Sequence, residues 1–168
     1  MIQKKDNTLK IKKAKIKDVP LILSFIKELA EFEKLTHEVA ANKKDLRENL
    51  FGTKKFAEVL IAFYDKDPAG MALFFHNYST FAGKPGIYLE DLYVKPEFRG
   101  KGIGKSLLLK LIRIAGKRKC GRVEWAVLDW NESAIDFYSK LGAEPMNSWK
   151  IFRLTKDKIK KINNPQVV

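Results

Sequence analysis

Glu90 and Asp91 stand side by side in GIYLEDLYV (86–94), a run that otherwise reads as a buried strand. Adjacent carboxylates there can accept a proton from a bound group, and they can equally form a solvated edge or a structural ion pair. Side chains on a strand alternate between faces, so the two acids can serve one site only if a bulge intervenes. Arg99-Gly100-Lys101-Gly102-Ile103-Gly104 follows, where the strand gives way to a helix. Glycines at alternating positions let the backbone wrap closely around a ligand, and a helix N-terminus flanked by cations favours a phosphate. The spacing is neither GxxxxGK[ST] nor GxGxxG. On spacing alone the loop reads as a phosphate cradle or as a tight turn with solvated basic residues.

Other reactive side chains are sparse. One cysteine, Cys120, cannot form an internal disulfide or build a metal site alone, and His37 and His76 lie far apart. No metal is expected. Cys120 has no histidine near it in sequence and reads as an ordinary thiol. His76 lies in a strand and reads as structural, while His37, after the first helix, is a candidate for lining a binding site.

The elements that must position these residues follow from periodicity. Residues 8–14 make a short strand. Asp18 and Pro20 start a helix that runs to about Lys34, with Leu21, Ile22, Phe25, Ile26, Leu29 and Phe32 at helical spacing. Asn42 caps a shorter helix through Leu50. FAEVLIAFY and AGMALFFHNYST form a hairpin about DKDP, and the acid-bearing strand comes next. A helix spans about 102–117, VEWAVLDW (123–130) is a strand, and Asn131 caps a helix that Gly142 ends. WKIFRL (149–154) reads as a final strand and TKDKIKKI as a basic last helix. The order is β-α-α-β-β-β-α-β-α-β, an α/β (α+β) domain covering 1–168. Strands 87–94 and 123–129 should be parallel neighbours.

The chain has 168 residues and a hydrophobic share of 45%, which suits one globular domain. The N-terminus shows no signal-peptide apolar stretch, no apolar run approaches the ~20 residues of a membrane span, and a soluble, cytoplasmic protein is expected. A net charge of +13 suggests anionic ligands, nucleic acid or no specific partner. The lysines are dispersed apart from the basic ends, and no nucleic-acid-binding signature accompanies them.

Taken together, the motifs resemble those of the GNAT superfamily of N-acetyltransferases. Arg99, Gly102 and Gly104 match its acetyl-CoA loop, [RQ]-x-x-G-x-[GA], and the stretch from Asn131 through Ala134, Phe137 and Tyr138 resembles its second signature, N-x-x-A-x-x-F-Y-x-x-x-G. Lys27-Glu28-Leu29-Ala30-Glu31-Phe32-Glu33 and the run from Ser79 to Asp91 are similar to motifs of its diamine acetyltransferase branch, which includes spermidine/spermine and thialysine acetyltransferases. The likeness covers about residues 8–155. Ser133 departs from the proline of some members.

The resemblance implies a mixed, mostly antiparallel sheet with a parallel V-shaped splay, helices on both faces, acetyl-CoA as cosubstrate and a homodimer. It also explains the acids. An amine of pKa near 10.4 is neutral in only about one molecule in two to three thousand at pH 7, adding roughly 4.6 kcal/mol to its attack on a thioester. A carboxylate that takes the proton offsets this. By resemblance Glu90 is that base, and Asp91 is left undecided. Tyr138 is the acid that protonates the leaving thiolate. Backbone groups of Leu92, Tyr93 and Val94, the loop Arg99, Gly100, Lys101, Gly102, Ile103, Gly104 and Lys105, and Asn131, Ser133, Ala134 and Tyr138 hold the cosubstrate. Phe32, Glu33, Glu90 and Trp149 shape the acceptor pocket for a small amine. A lysine-like amino acid suits the positive chain better than a polyamine does. Alternatives are a protein lysine or N-terminal acetyltransferase and a basic nucleic-acid-associated protein on a non-catalytic fold.

Overall fold

The structure is a computed structural model describing residues 8–164. Lys4 and Lys5, which begin the basic N-terminal stretch, lie outside the described residues. Residues up to Ala126 form one compact unit and those from Val127 another.

The first unit contains β1 (Leu9–Lys13), α1 (Val19–Phe32), α2 (Lys43–Phe51), β2 (Glu58–Tyr64), β3 (Asp67–Ser79), β4 (Lys84–Val94), α3 (Ile103–Lys117) and β5 (Val123–Trp125). The five strands lie in sequence order, antiparallel except for the parallel β4–β5 pair. That pair is joined through α3, the crossover expected of a βαβ unit.

Alternation along the strands divides the core. Val59, Ile61 and Met71 cluster with Ile22 and Phe25 of α1 and Leu50 of α2. Their buried neighbours Leu60 and Ala72 point the opposite way, where α3 packs on β2–β4 with Leu107, Leu108 and Leu111 buried. Helices thus cover both faces. Local chemistry sets several ends: Pro20 lies in the first turn of α1, and the Asn42 side chain accepts the Asp45 N–H at 3.0 Å to cap α2.

The second unit contains α4 (Glu132–Lys140) and α5 (Lys156–Ile162). Gly142 follows α4 at φ 86°, the left-handed stop its position suggested. Two sequence expectations need correction. The strand expected over 123–129 ends at Trp125, and 149–154 is not a strand. A strand exists only as part of a hydrogen-bonded ladder, and among its described residues the unit holding 149–154 supplies helices but no strand to pair with. Alternating apolar residues were therefore not sufficient there.

Candidate active site

The site in the first unit begins where pairing stops. β4 and β5 pair from Ile87↔Val123 to Leu89↔Trp125 and no further. At the next residue the β3–β4 register slips: Leu89 faces Phe74, Asp91 faces Leu73, and Glu90 is the extra residue of a bulge. Without the bulge, residues 87, 89, 91 and 93 would share one face. With it, Leu89 lies with Phe74 on the α3 side, while Tyr93 packs on α1, its ring centroid 5.9 Å from that of Phe25. Asp91, opposite Leu73 on the same face as Tyr93, turns toward α1, and Glu90 is left exposed at the switch.

The end of α1 brings a third acid. Glu33 caps its C-terminus, and burial raises its pKa. Burial pushes Asp91 up to about 7, with the Glu90 and Glu33 carboxylates adding to the shift. Glu90 and Glu33 therefore both act electrostatically on Asp91, which changes charge near neutral pH.

The glycine loop is tied to this cluster. Arg99 donates from Nε to the Val94 carbonyl at 3.1 Å, and its guanidinium lies 4.6 Å from the centroid of the Phe32 ring. Gly100 and Gly102 adopt φ 76° and 74°, which disfavour any side chain, and a Cβ at either would meet nothing within 4 Å. The space above the loop is open. The first helical bond of α3 runs from Ser106 N–H to the Gly102 carbonyl at 3.0 Å. The amides of Ile103, Gly104 and Lys105 precede it and face out of the positive helix end. The Lys101 ammonium sits over two rings, 4.9 Å from the centroid of Tyr64 and 5.0 Å from that of Phe98.

In the second unit, Asn131 Oδ1 accepts the Ala134 N–H at 3.3 Å and the Ser133 hydroxyl at 3.2 Å, tying together three residues expected at the cosubstrate. Tyr138 lies against Phe137, ring centroids 5.2 Å apart, and burial pushes its phenol up to about 12. Trp149 follows α4 outside any helix, its N–H donating to the Met146 carbonyl at 3.1 Å. The structure thus gathers Phe32, Glu33, Glu90, Leu92, Tyr93, Val94 and the 99–105 loop in one unit. Asn131, Ser133, Ala134, Tyr138 and Trp149 belong to the other.

Sequence reasoning left Asp91 without a role and gave none to Glu28. Tyr93 donates its hydroxyl to Glu28 Oε2 at 3.1 Å, and burial with that bond pushes the phenol up to about 12. Lys95 Nζ lies 4.0 Å from Glu28 Oε1, bracing the far side of β4 against α1. Glu28 stood within a recognised motif, but only the face assignment of Tyr93 reveals its partner. His76 is structural: its Nδ1 lies 2.9 Å from the Gly86 carbonyl and its Nε2 3.0 Å from Arg118. His37 is exposed, with Nε2 3.6 Å from Glu38 Oε1. Among the described residues no group of three His, Cys, Asp or Glu could hold a metal ion, and no helix is long and apolar enough to cross a membrane.

A profile described as the acetyltransferase (GNAT) family matches residues 25–143. The chain belongs to this family. It is 40% identical over 154 residues to a thialysine N-epsilon-acetyltransferase of Bos taurus, covering 85% of this chain and 90% of the relative. It is 32% identical to an L-ornithine N5-acetyltransferase of Arabidopsis thaliana, covering 87% and 84% respectively. Among solved structures, an integron cassette protein from the mobile metagenome of V. cholerae superimposes with a TM-score of 0.77 at 25% identity, over 93% of this chain and 98% of the other. The GNAT chain is therefore an acetyltransferase with that fold.

Proposed function

We propose that this acetyltransferase moves the acetyl group of acetyl-CoA directly to a primary amine of a small molecule, both substrates being bound together. The observation that carries the reading is the bulge at Glu90, which leaves β4 unpaired with β5 beyond Leu89 and places acids at that opening. The open space over Gly100 and Gly102 fits the cosubstrate's pyrophosphate, with the first amides of α3 and Arg99 as its partners. Backbone groups of Leu92, Tyr93 and Val94 on the unpaired edge would hold the pantetheine, and Asn131, Ser133 and Ala134 further parts of the molecule. Acetyl-CoA, when bound, supplies the thioester whose acetyl group is transferred.

Glu90, exposed at the opening, takes the proton that the acceptor ammonium must lose before its nitrogen can attack. Asp91 supplies a second proton acceptor once pH passes about 7. Tyr138 keeps its phenol proton throughout the working range, because burial holds its pKa at about 12, and donates it to the departing sulfur. That transfer is uphill against a free thiol of pKa near 8.5, so it requires the phenol and the sulfur to be placed together as the thiolate forms. Glu33 meets a distal ammonium of the acceptor, while Phe32 and Trp149 pack its alkyl stem.

A lysine-like amino acid is the preferred acceptor. The names of the thialysine and ornithine relatives support it, and a chain of net charge +13 disfavours a polycation at long range. Thermal denaturation with acetyl-CoA tests the cradle. At a hundredfold excess over Kd the wild-type Tm should rise by about 5–10 °C. Gly102→Asp, which places a carboxylate in the open space, should abolish that rise. Equal shifts in the two proteins would remove the loop from the site.

A further inference from the structure

β2 begins at Glu58 opposite Phe74, whereas β3 runs on to Ser79. Beyond Phe74, β3 has no strand on its β2 side among the described residues. A cavity of about 540 Å³ occupies this notch, bordered by Lys13, Phe51, Lys55, Phe56, Phe75 and His76. It is separate from the acetyl-transfer opening. Arg118, which reaches the cavity wall through Glu58, follows the C-terminal end of α3, a 15-residue helix and therefore about 22 Å from its glycine loop.

The wall combines three phenylalanines with more positive than negative charge. Its carboxylate, Glu58, is already engaged, by Lys13 at 2.6 Å and by the Arg118 fork at 2.6 and 3.0 Å. A carbonyl can only accept, so His76 donates from Nδ1 to Gly86 and its Nε2 accepts from Arg118. The imidazole is thus neutral and fixes the guanidinium. Lys55 forms no ion pair with any described residue, and Lys54 adds a cation 5.1 Å from the Phe56 ring centroid. A cationic amine would be repelled here. An anion with a flat apolar body finds a charge partner and aromatic walls, in a volume ordinary for small-molecule sites.

We propose that this cavity binds a small organic carboxylate, its anionic group at Lys55 and its apolar body among Phe51, Phe56 and Phe75. The test is an NMR titration of the full chain with 2-naphthoate, with and without saturating CoA. Amide shifts should concentrate at 51–59 and 75–76 and persist with CoA present. Lys55→Glu, a surface change that leaves the core intact, should weaken the interaction about tenfold or more, and the uncharged analogue 2-naphthol should bind correspondingly less. The proposal fails if no shifts appear in these segments, if they appear only at 100–105 and vanish with CoA, or if 2-naphthol binds as well as 2-naphthoate. It also fails if Phe56→Ser converts an oligomer to monomer and 2-naphthoate has no effect, since the notch would then belong to a second copy of the chain.

Discussion

At the residue scale, the proposed division of labour separates acid from base. Tyr138→Phe retains the ring that packs beside Phe137 and removes only the hydroxyl. Its folding and acetyl-CoA affinity should stay close to wild type while turnover drops within the ~10²–10⁴-fold range of a positioned proton transfer. Glu90→Gln keeps the shape and loses the base, so its rate should recover as rising pH frees the amine, whereas the tyrosine variant should not. Pre-steady-state rates across pH 7–10 separate the two, and a Tyr138→Phe chemical step at the wild-type rate would exclude it as the acid. Asp91 gives a stability prediction of opposite sign to the usual carboxylate. Its pKa is raised to about 7 from 3.8, so across that interval the folded chain holds a proton that the unfolded chain has released. Stability therefore falls as pH rises through this window. Asp91→Asn should remove the slope and stabilise the protein at pH 8 by on the order of 4 kcal/mol, with little change near pH 4. Denaturant melts at the two pH values check this, and a destabilised variant at pH 8 would mean Asp91 is well accommodated as an anion.

At the scale of elements, the bulge decides what the acids can do. Deleting Glu90 would give a continuous β3–β4 ladder that keeps Leu89 opposite Phe74, Asp91 opposite Leu73 and Tyr93 opposite Met71. Tyr93 should then keep Phe25 and Glu28, so the stability loss should stay well below the about 3–5 kcal/mol of a lost large core side chain, while the exposed carboxylate at the opening is removed. Chemical denaturation measures it, and a loss of that size would show that the extra residue itself is needed to hold these faces. The sequence raised the possibility of a bulge, because adjacent acids on a strand can serve one site only with one, but could not say which residue was extra. That depends on the register against β3, a pairing between distant segments. Helices were easier to read, since their signals are local: Asn42 and Asn131 cap as their positions suggested, and Gly142 stops α4. The segment 149–154 shows the converse, for alternation describes one strand and not the neighbour it requires. Glu28 and Asp91 were obscure for the same reason, their roles arising from contacts across elements.

For the whole molecule, charge and cross-links between elements govern behaviour. Glu58 joins β2 to β1 through Lys13 and to the end of α3 through Arg118. Hydrogen bonding from Arg118, aided by Lys13, holds its pKa at about 2 against an ordinary 4.5. The stabilisation is fully present above about pH 4.5 and is lost as pH falls toward 2. Glu58→Gln should lower stability at pH 7 by roughly 1–2 kcal/mol and flatten the acid limb of the stability profile. The net charge of +13 should give only weak, sequence-blind binding to duplex DNA or RNA, falling steeply with salt.

The central claim is acetyl transfer to a small amine, and free thiol appearing from acetyl-CoA measures it most directly. A panel should contain lysine, thialysine, ornithine, spermidine and a lysine-containing peptide. Saturable thiol release is expected with the small amines, fastest with a lysine-like amino acid, with the acetyl group recovered on the acceptor nitrogen. Release with the peptide alone, or none with any amine from protein that demonstrably binds acetyl-CoA, would contradict the account.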